Sequence, residues 1–227
     1  MSHFKILNDL DLDLLPRRQR VRLVNALSGF KSINLIGTTN DAGVNNLSII
    51  SSVVHLGSDP ALLGMVMRTP VDRERGSHTY WNIRETGCYT INHVPVSHSL
   101  QAHQVSARYS EETSEFEAVG FTPVYRCGFQ APAVEESPVR IGMERLDEWE
   151  IPQNRCRFIV GQIRWVEFPE EAWAEDGYLD IESLGVAVLS SLDGYHRTEK
   201  LHRLAYAKPD AYPPKAMKNF KVGWKDD

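Results

Sequence analysis

Cysteine is scarce in this 227-residue chain and follows no pattern: Cys88, Cys127 and Cys156 stand far apart, with no CxxC pair among them. That excludes a zinc finger or a thioredoxin-type redox site, and it predicts three free thiols in a reducing cytoplasm. Long hydrophobic runs are also missing. None approaches the ~20 residues of a membrane span, and the first residues, MSHFKILNDLDLDLLPRRQR, carry acids where a secretion signal needs an apolar stretch. Basic charge is in deficit, with 30 Asp and Glu against 25 Lys and Arg, a net charge of −5 and a pI near 5.9. This balance argues against nucleic acid as the main partner, although a small anion needs only a local basic pocket. Familiar catalytic motifs are absent too. No GxGxxG follows a strand, and there is no GxxxxGK[ST], HExxH or GxSxG. Any nucleotide cofactor must therefore be held by another scaffold.

What is present is ordinary in bulk: 42% hydrophobic and 24% charged residues, values of a folded globular protein. The length is about one and a half times the ~150-residue domain prior. With no internal repeat, low-complexity linker or composition shift, we expect one domain over residues 16–207. Loose arms are expected at 1–15 and, with Pro209, Pro213 and Pro214, at 208–227. Pro16 and Gly29 bracket a predicted helix over 17–28, whose stripe Val21, Val24 and Leu27, flanked by Leu23, predicts packing on the domain. Short Ile/Leu/Val-rich runs then alternate with turns at Asn40–Gly43 and Gly57–Pro60, predicting strands over 32–39, 44–56 and 61–67. Ser77 is placed to cap a helix ending at Gly87, and 88–94 reads as a strand. A helix over 97–109 and a helical turn over 114–119 come next, followed by long strands over 139–150 and 155–168. The expected class is mainly β with helical insertions, a barrel rather than a parallel sheet.

His93, His98 and His103 recur every five residues, but that step turns a helix by about 140° and scatters them, so no metal site is expected. More informative is a row of small hydroxyl and amide side chains on one strand, Asn46, Ser48, Ser51 and Ser52. A loop with Arg68, Arg73 and Arg75 then delivers Ser77-His78-Thr79 to a helix start. Free N–H groups, two hydroxyls and a guanidinium form a phosphate cradle; the alternative is a capping serine on a charged surface loop.

Taken together, the run from Thr39 to Leu47 with Ser51 and Ser58-Asp59-Pro60, Arg68, Ser77-His78-Thr79, Asn82-Ile83-Arg84-Glu85-Thr86-Gly87, Thr90-Ile91-Asn92, the segment Ser114 to Phe121 and Gly161-Gln162-Ile163 resembles the flavin-reductase-like family of FMN-binding split barrels. The resemblance implies a Greek-key split β-barrel, a homodimer, and one FMN per subunit. It implies that Asn46, Ser48, Ile50, Ser51 and Ser52 line the isoalloxazine and ribityl chain, and that Arg68, Ser77, His78 and Thr79 hold the phosphate. The implied activity is hydride transfer from NADH or NADPH to flavin or a small acceptor. The alternative is a flavoredoxin-like FMN carrier served by a redox partner protein. Two segments depart from the family. Ser77-His78-Thr79 replaces Lys-Asp-Thr, leaving Arg73 or Arg75 to supply the charge. Cys156 stands five residues before Gly161, where nicotinamide-using members often carry His. Tyr195 and His196, in a segment like the family's G-x-Y end, are then the candidate catalytic pair, with a structural turn as the alternative.

Overall fold

The computed structural model describes residues 3–209, 213, 216 and 217. Most of the expected 208–227 arm lies outside the described residues. In chain order the elements are α1 (Asp9–Leu14), α2 (Arg17–Leu27), β1 (Lys31–Ser32), β2 (Asn34–Thr39), β3 (Asn45–Ile50), β4 (Val53–Ser58), β5 (Ala61–Met67), α3 (His78–Thr86) and β6 (Cys88–His93). They continue with α4 (Ser99–Gln104), α5 (Glu115–Val119), β7 (Pro123–Val124), β8 (Ala133–Val134), β9 (Arg140–Glu150), β10 (Arg157–Glu167), β11 (Val188–Ser190) and β12 (Gly194–His196).

Strand β2 explains the architecture. All six of its residues are buried, so it must be covered on both faces. Odd positions serve one hydrophobic cluster, where Leu35 meets Ile33, Leu47, Phe116 and Leu189. Even positions serve a second, where Ile36 meets Ile83, Ile91, Met143 and Ile159. The period of two along a strand divides the protein into an inner and an outer core. A seven-stranded antiparallel sheet follows the order β3-β2-β6-β9-β10-β5-β4. Its two edge strands, β3 and β4, are consecutive in the chain and joined only by Ser51-Ser52. A sheet whose opposite edges are two residues apart has to roll up. The result is a barrel split along the β3/β4 seam. A second sheet, β1-β11-β12, lies beside it.

Three local expectations need correction. The strand expected over 44–56 breaks at Ser51-Ser52, because the seam turns there. The helix expected over 97–109 contracts to a 3₁₀ turn over Val96–His98 and α4, since only Ala102 and Val105 in that stretch reach a core. The stripe on α2 does not pack on the domain: no residue of α2 is buried, and Val24 and Leu27 are exposed. Within the first fifteen residues α1 forms a helix, closed by a capping box between Asn8 and Asp11.

Close approach fixes one glycine. A Cβ on Gly37 would stand 2.1 Å from the Pro132 carbonyl oxygen and 2.6 Å from Thr90 Oγ1, which itself donates to that carbonyl. Backbone on one side and a hydrogen-bonded hydroxyl on the other leave no room to yield. Gly37→Ala should lower the unfolding free energy by about 2–3 kcal/mol, the usual cost of forcing an extra methyl into a packed core, measured by urea denaturation.

Candidate functional site

The site is built from the seam outward. At the corner, the Ser52 hydroxyl donates to the Val66 carbonyl at 2.7 Å, and the Val66 N–H donates back to the Ser52 carbonyl at 3.1 Å. The corner is thereby stitched to β5, which ends one residue before Arg68. Ile50 packs on the inner cluster. Ser48 shares that strand face, and its hydroxyl is buried without a hydrogen-bond partner among the described residues. An orphan hydroxyl at this place is a vacancy in the hydrogen-bond network that a ligand can fill.

Asn46 stands deeper on the same face. Its amide donates to Thr38 Oγ1 at 3.2 Å and to Thr79 Oγ1 at 2.9 Å. Asn82 also donates to Thr38 Oγ1, at 3.1 Å, and its carbonyl oxygen accepts from Arg73 at 2.9 Å. Arg73 further pairs with Glu85 and Glu111. This buried chain of polar groups ties β2 and β3 to the N-terminal turn of α3 and to the loop over 68–77. Thr38 and Asn82 were not singled out from the sequence. Asn82 lies in the quoted Asn82–Gly87 run, but its role depends on a strand register that spacing alone does not reveal.

The loop itself departs from expectation in two ways. Ser77 does not cap α3: it adopts a left-handed conformation, φ 62°, and its hydroxyl accepts from the Val71 N–H at 3.1 Å instead. The first turn of α3 is left with no side-chain cap, so its N–H groups keep their pull on an anion. Nor is the loop a uniform basic pocket. Arg73 is held by two carboxylates and Arg75 by Asp72, so both guanidiniums already face carboxylate partners. Arg68 is exposed and makes no ion pair among the described residues. Trp81 Nε1 donates to the Val71 carbonyl at 2.9 Å, folding the loop back on α3. Of the expected site residues, Asn46 bonds Thr79 directly; Ser48, Ile50, Ser51 and Ser52 follow on β3 and its corner, Arg68 follows β5, and Ser77 and His78 precede Thr79 at the start of α3.

Tyr195 and His196 sit elsewhere, on the small sheet. Tyr195 packs against the outer cluster, the side of β2 opposite Ser48 and Ile50. Its hydroxyl lies 3.1 Å from His103 Nδ1, and burial pushes it up to about 12. His196 Nε2 lies 2.7 Å from the Ser190 hydroxyl, with the ring edge-on to Phe30. Cys156 falls opposite Arg68, next in register after the Arg157–Met67 pair, and all three cysteines are free. Among the described residues no three His, Cys, Asp or Glu side chains are grouped to hold a metal ion, and no helix is long and apolar enough to cross a membrane.

Two further buried groups bear on the site. The free edge of β3 is closed where the Leu47 N–H donates to Glu115 at 2.9 Å; burial still holds that carboxyl above its usual range. His93, opposite Asn34 and so in line with Ile50, keeps Nδ1 buried and unpartnered among the described residues. Burial pushes its imidazole down to about 4.

A model of the flavin reductase like domain matches residues 27–182, more than half of the chain. Among solved structures, a protein from Shewanella frigidimarina described as a flavin reductase with split barrel domain is 43% identical, with a TM-score of 0.85. The match covers 90% of this chain and all of that one. Component B of nitrilotriacetate monooxygenase from Bacillus cereus superposes with a TM-score of 0.76 at 15% identity, over 90% of this chain and all of that one. Flavoredoxin of Desulfovibrio vulgaris superposes at 0.65 and 20% identity, over 81% and 93% of the two chains. The last two likenesses speak for the fold alone. No curated protein matches the sequence.

The His93 environment sets an acid limb to stability. An unfolded histidine takes a proton near pH 6.5, which the folded site refuses until about 4. Stability present above about pH 6.5 is therefore lost as pH falls toward 4. His93→Leu should flatten that loss by up to about 3 kcal/mol, read from urea midpoints across the range.

Proposed function

The chain belongs to the flavin reductase-like family, and from that premise we propose that it is an FMN-binding oxidoreductase that passes a hydride from NADH or NADPH to flavin or a small acceptor. One observation carries the FMN assignment over a flavin without phosphate. The loop whose one end presents Arg68 without an ion pair among the described residues returns, at its other end, to the uncapped first turn of α3. A cation and a row of helix N–H groups at the two ends of one short loop suit a phosphate monoester. Arg68, Ser77, His78 and Thr79 would hold that phosphate. Ser48, Ile50, Ser51 and Ser52 would line the ring and ribityl chain, with the orphan hydroxyl of Ser48 donating to a polar atom of the ring system. Asn46 acts behind them, holding Thr79 in place. When bound, FMN supplies the two-electron chemistry; the chain's part is to fix the ring against the seam and keep water from it.

The reading places one such site on each subunit of a cytoplasmic homodimer. Tyr195 and His196 lie on the small sheet, with Tyr195 on the opposite face of β2 from Ser48 and Ile50, so on this reading they act at the partner subunit's flavin, His196 as proton carrier. On this reading His196→Ala slows flavin reduction and leaves FMN affinity unchanged; unchanged reduction rates would remove His196 from the mechanism. A second reading, an FMN electron carrier that serves a redox partner protein, is favoured by one residue. Cys156 occupies the place where nicotinamide-using members of the family often carry histidine.

Two measurements decide. FMN-loaded protein mixed with NADH or NADPH in a stopped-flow instrument should bleach within seconds; bleaching by dithionite alone assigns the carrier role. Arg68→Ala should weaken FMN about ten- to a hundredfold, the worth of a charge-assisted hydrogen bond, and hardly affect riboflavin. Equal loss for both flavins would remove Arg68 from the phosphate site.

A further inference from the structure

No residue of α1 or α2 is buried. With six and eleven residues, both helices fall short of the ~12–15 residues at which an isolated helix becomes even marginally stable in water. Their contacts with the rest of the chain are polar: Arg22 pairs with Asp193 at 3.1 Å, the Ser191 hydroxyl donates to the Arg22 carbonyl, and Lys31 reaches the Asn25 carbonyl. Leu12, Leu15 and Leu23 are partly covered, but much of the arm's apolar surface is left in solvent. Leu10 and Leu14, one helical turn apart, are 68% and 79% exposed, and Leu27 and Phe30 are 72% and 69% exposed. A stripe of that size on a short, otherwise polar arm marks a contact surface.

Charge identifies what covers it. Helix α1 carries Asp9, Asp11 and Asp13 and no base, whereas α2 carries Arg17, Arg18, Arg20 and Arg22 and no acid. Within the arm only Arg20 and Asp13 meet, at 3.6 Å and well exposed. Asp9, Asp11, Arg17 and Arg18 make no ion pair among the described residues. A segment acidic in its first half and basic in its second is complementary to itself when run antiparallel, and repels itself when run parallel. A two-fold axis perpendicular to the arm creates that antiparallel pairing.

We propose that the arm over residues 4–30 is the self-recognition element of the protein, with α1 of one protomer lying against α2 of a second copy and the leucine stripes buried between them. The inference rests on the homodimer reading above and adds which element makes the contact. The apolar stripe supplies the attraction, and the charges set direction and partner.

Charge reversal tests it on the full-length chain. Variant one is Arg17→Glu with Arg18→Glu. Variant two is Asp9→Lys with Asp13→Lys, sparing Asp11 because it closes the capping box with Asn8. No substituted residue is buried, so both should remain folded by circular dichroism. By sedimentation velocity at physiological salt, each alone should dissociate about tenfold or more easily than the native chain. An equimolar mixture should recover the native dimer, since positions 17 and 18 of one variant, now acidic, face positions 9 and 13 of the other, now basic. Leu27→Asp should weaken the dimer with no rescue by either partner. A native dimer that both charge variants retain would overturn the arm's role and leave the homodimer standing. A native chain that is monomeric throughout would overturn both. Weakened variants that fail to pair on mixing would also overturn the arm pairing.

Discussion

The amide of Asn46 donates both ways inside the protein, to Thr38 on β2 and to Thr79 on α3, and the candidate site rests on that pair of hydrogen bonds. Without it, β3 and α3 would be neighbours in the core but free to slide. With it, the strand that lines the seam and the helix turn that faces the loop move as one body. The same chain of polar groups runs on through Asn82 to Arg73 and its two carboxylates. The loop is thereby held by partners from segments far apart in sequence. Buried networks of this kind are costly when half satisfied and rigid when complete. Rigidity at this point suits the proposed site, which would hold a ring and a phosphate in fixed relation.

The seam and the network are complementary devices. Rolling the sheet brings β3 and β4 to the same corner, and the Ser52–Val66 pair locks that corner to β5. From there the chain runs into Arg68. One contact therefore fixes the strand at the seam, and a second fixes the loop that follows β5. Arg73, which by composition belongs to a basic patch, is neutralised in place. The positive character of the loop is narrowed to Arg68, and the acidic balance of the whole chain is no obstacle to binding one anion.

Much of this was legible in the sequence. Strand β5 was expected over 61–67 and runs Ala61–Met67; α3 ends at Gly87 as its left-handed C-cap requires. Alternation and turn residues are local signals, and they located most strands to within a few residues. What was not legible is what depends on register. The break at Ser51-Ser52 looks like continued strand until β5 is seen to hold the corner. Ser77 looks like a cap until its hydroxyl is found facing Val71. The partner of Arg73 lies thirty-eight residues downstream at Glu111. The α2 stripe is periodic in the expected way, yet periodicity says only that one face is apolar, not which molecule covers it.

The direct test of this account is the flavin preference of Asn46→Val, a variant that keeps the shape of the core and removes the two bonds. FMN and riboflavin titrations followed by flavin fluorescence, on protein shown folded by circular dichroism, should find that Asn46→Val loses most of the native preference for FMN. The phosphate end should weaken about tenfold or more while riboflavin binding changes little. A folded Asn46→Val protein that prefers FMN as strongly as the native chain would contradict the claim that this amide assembles the site.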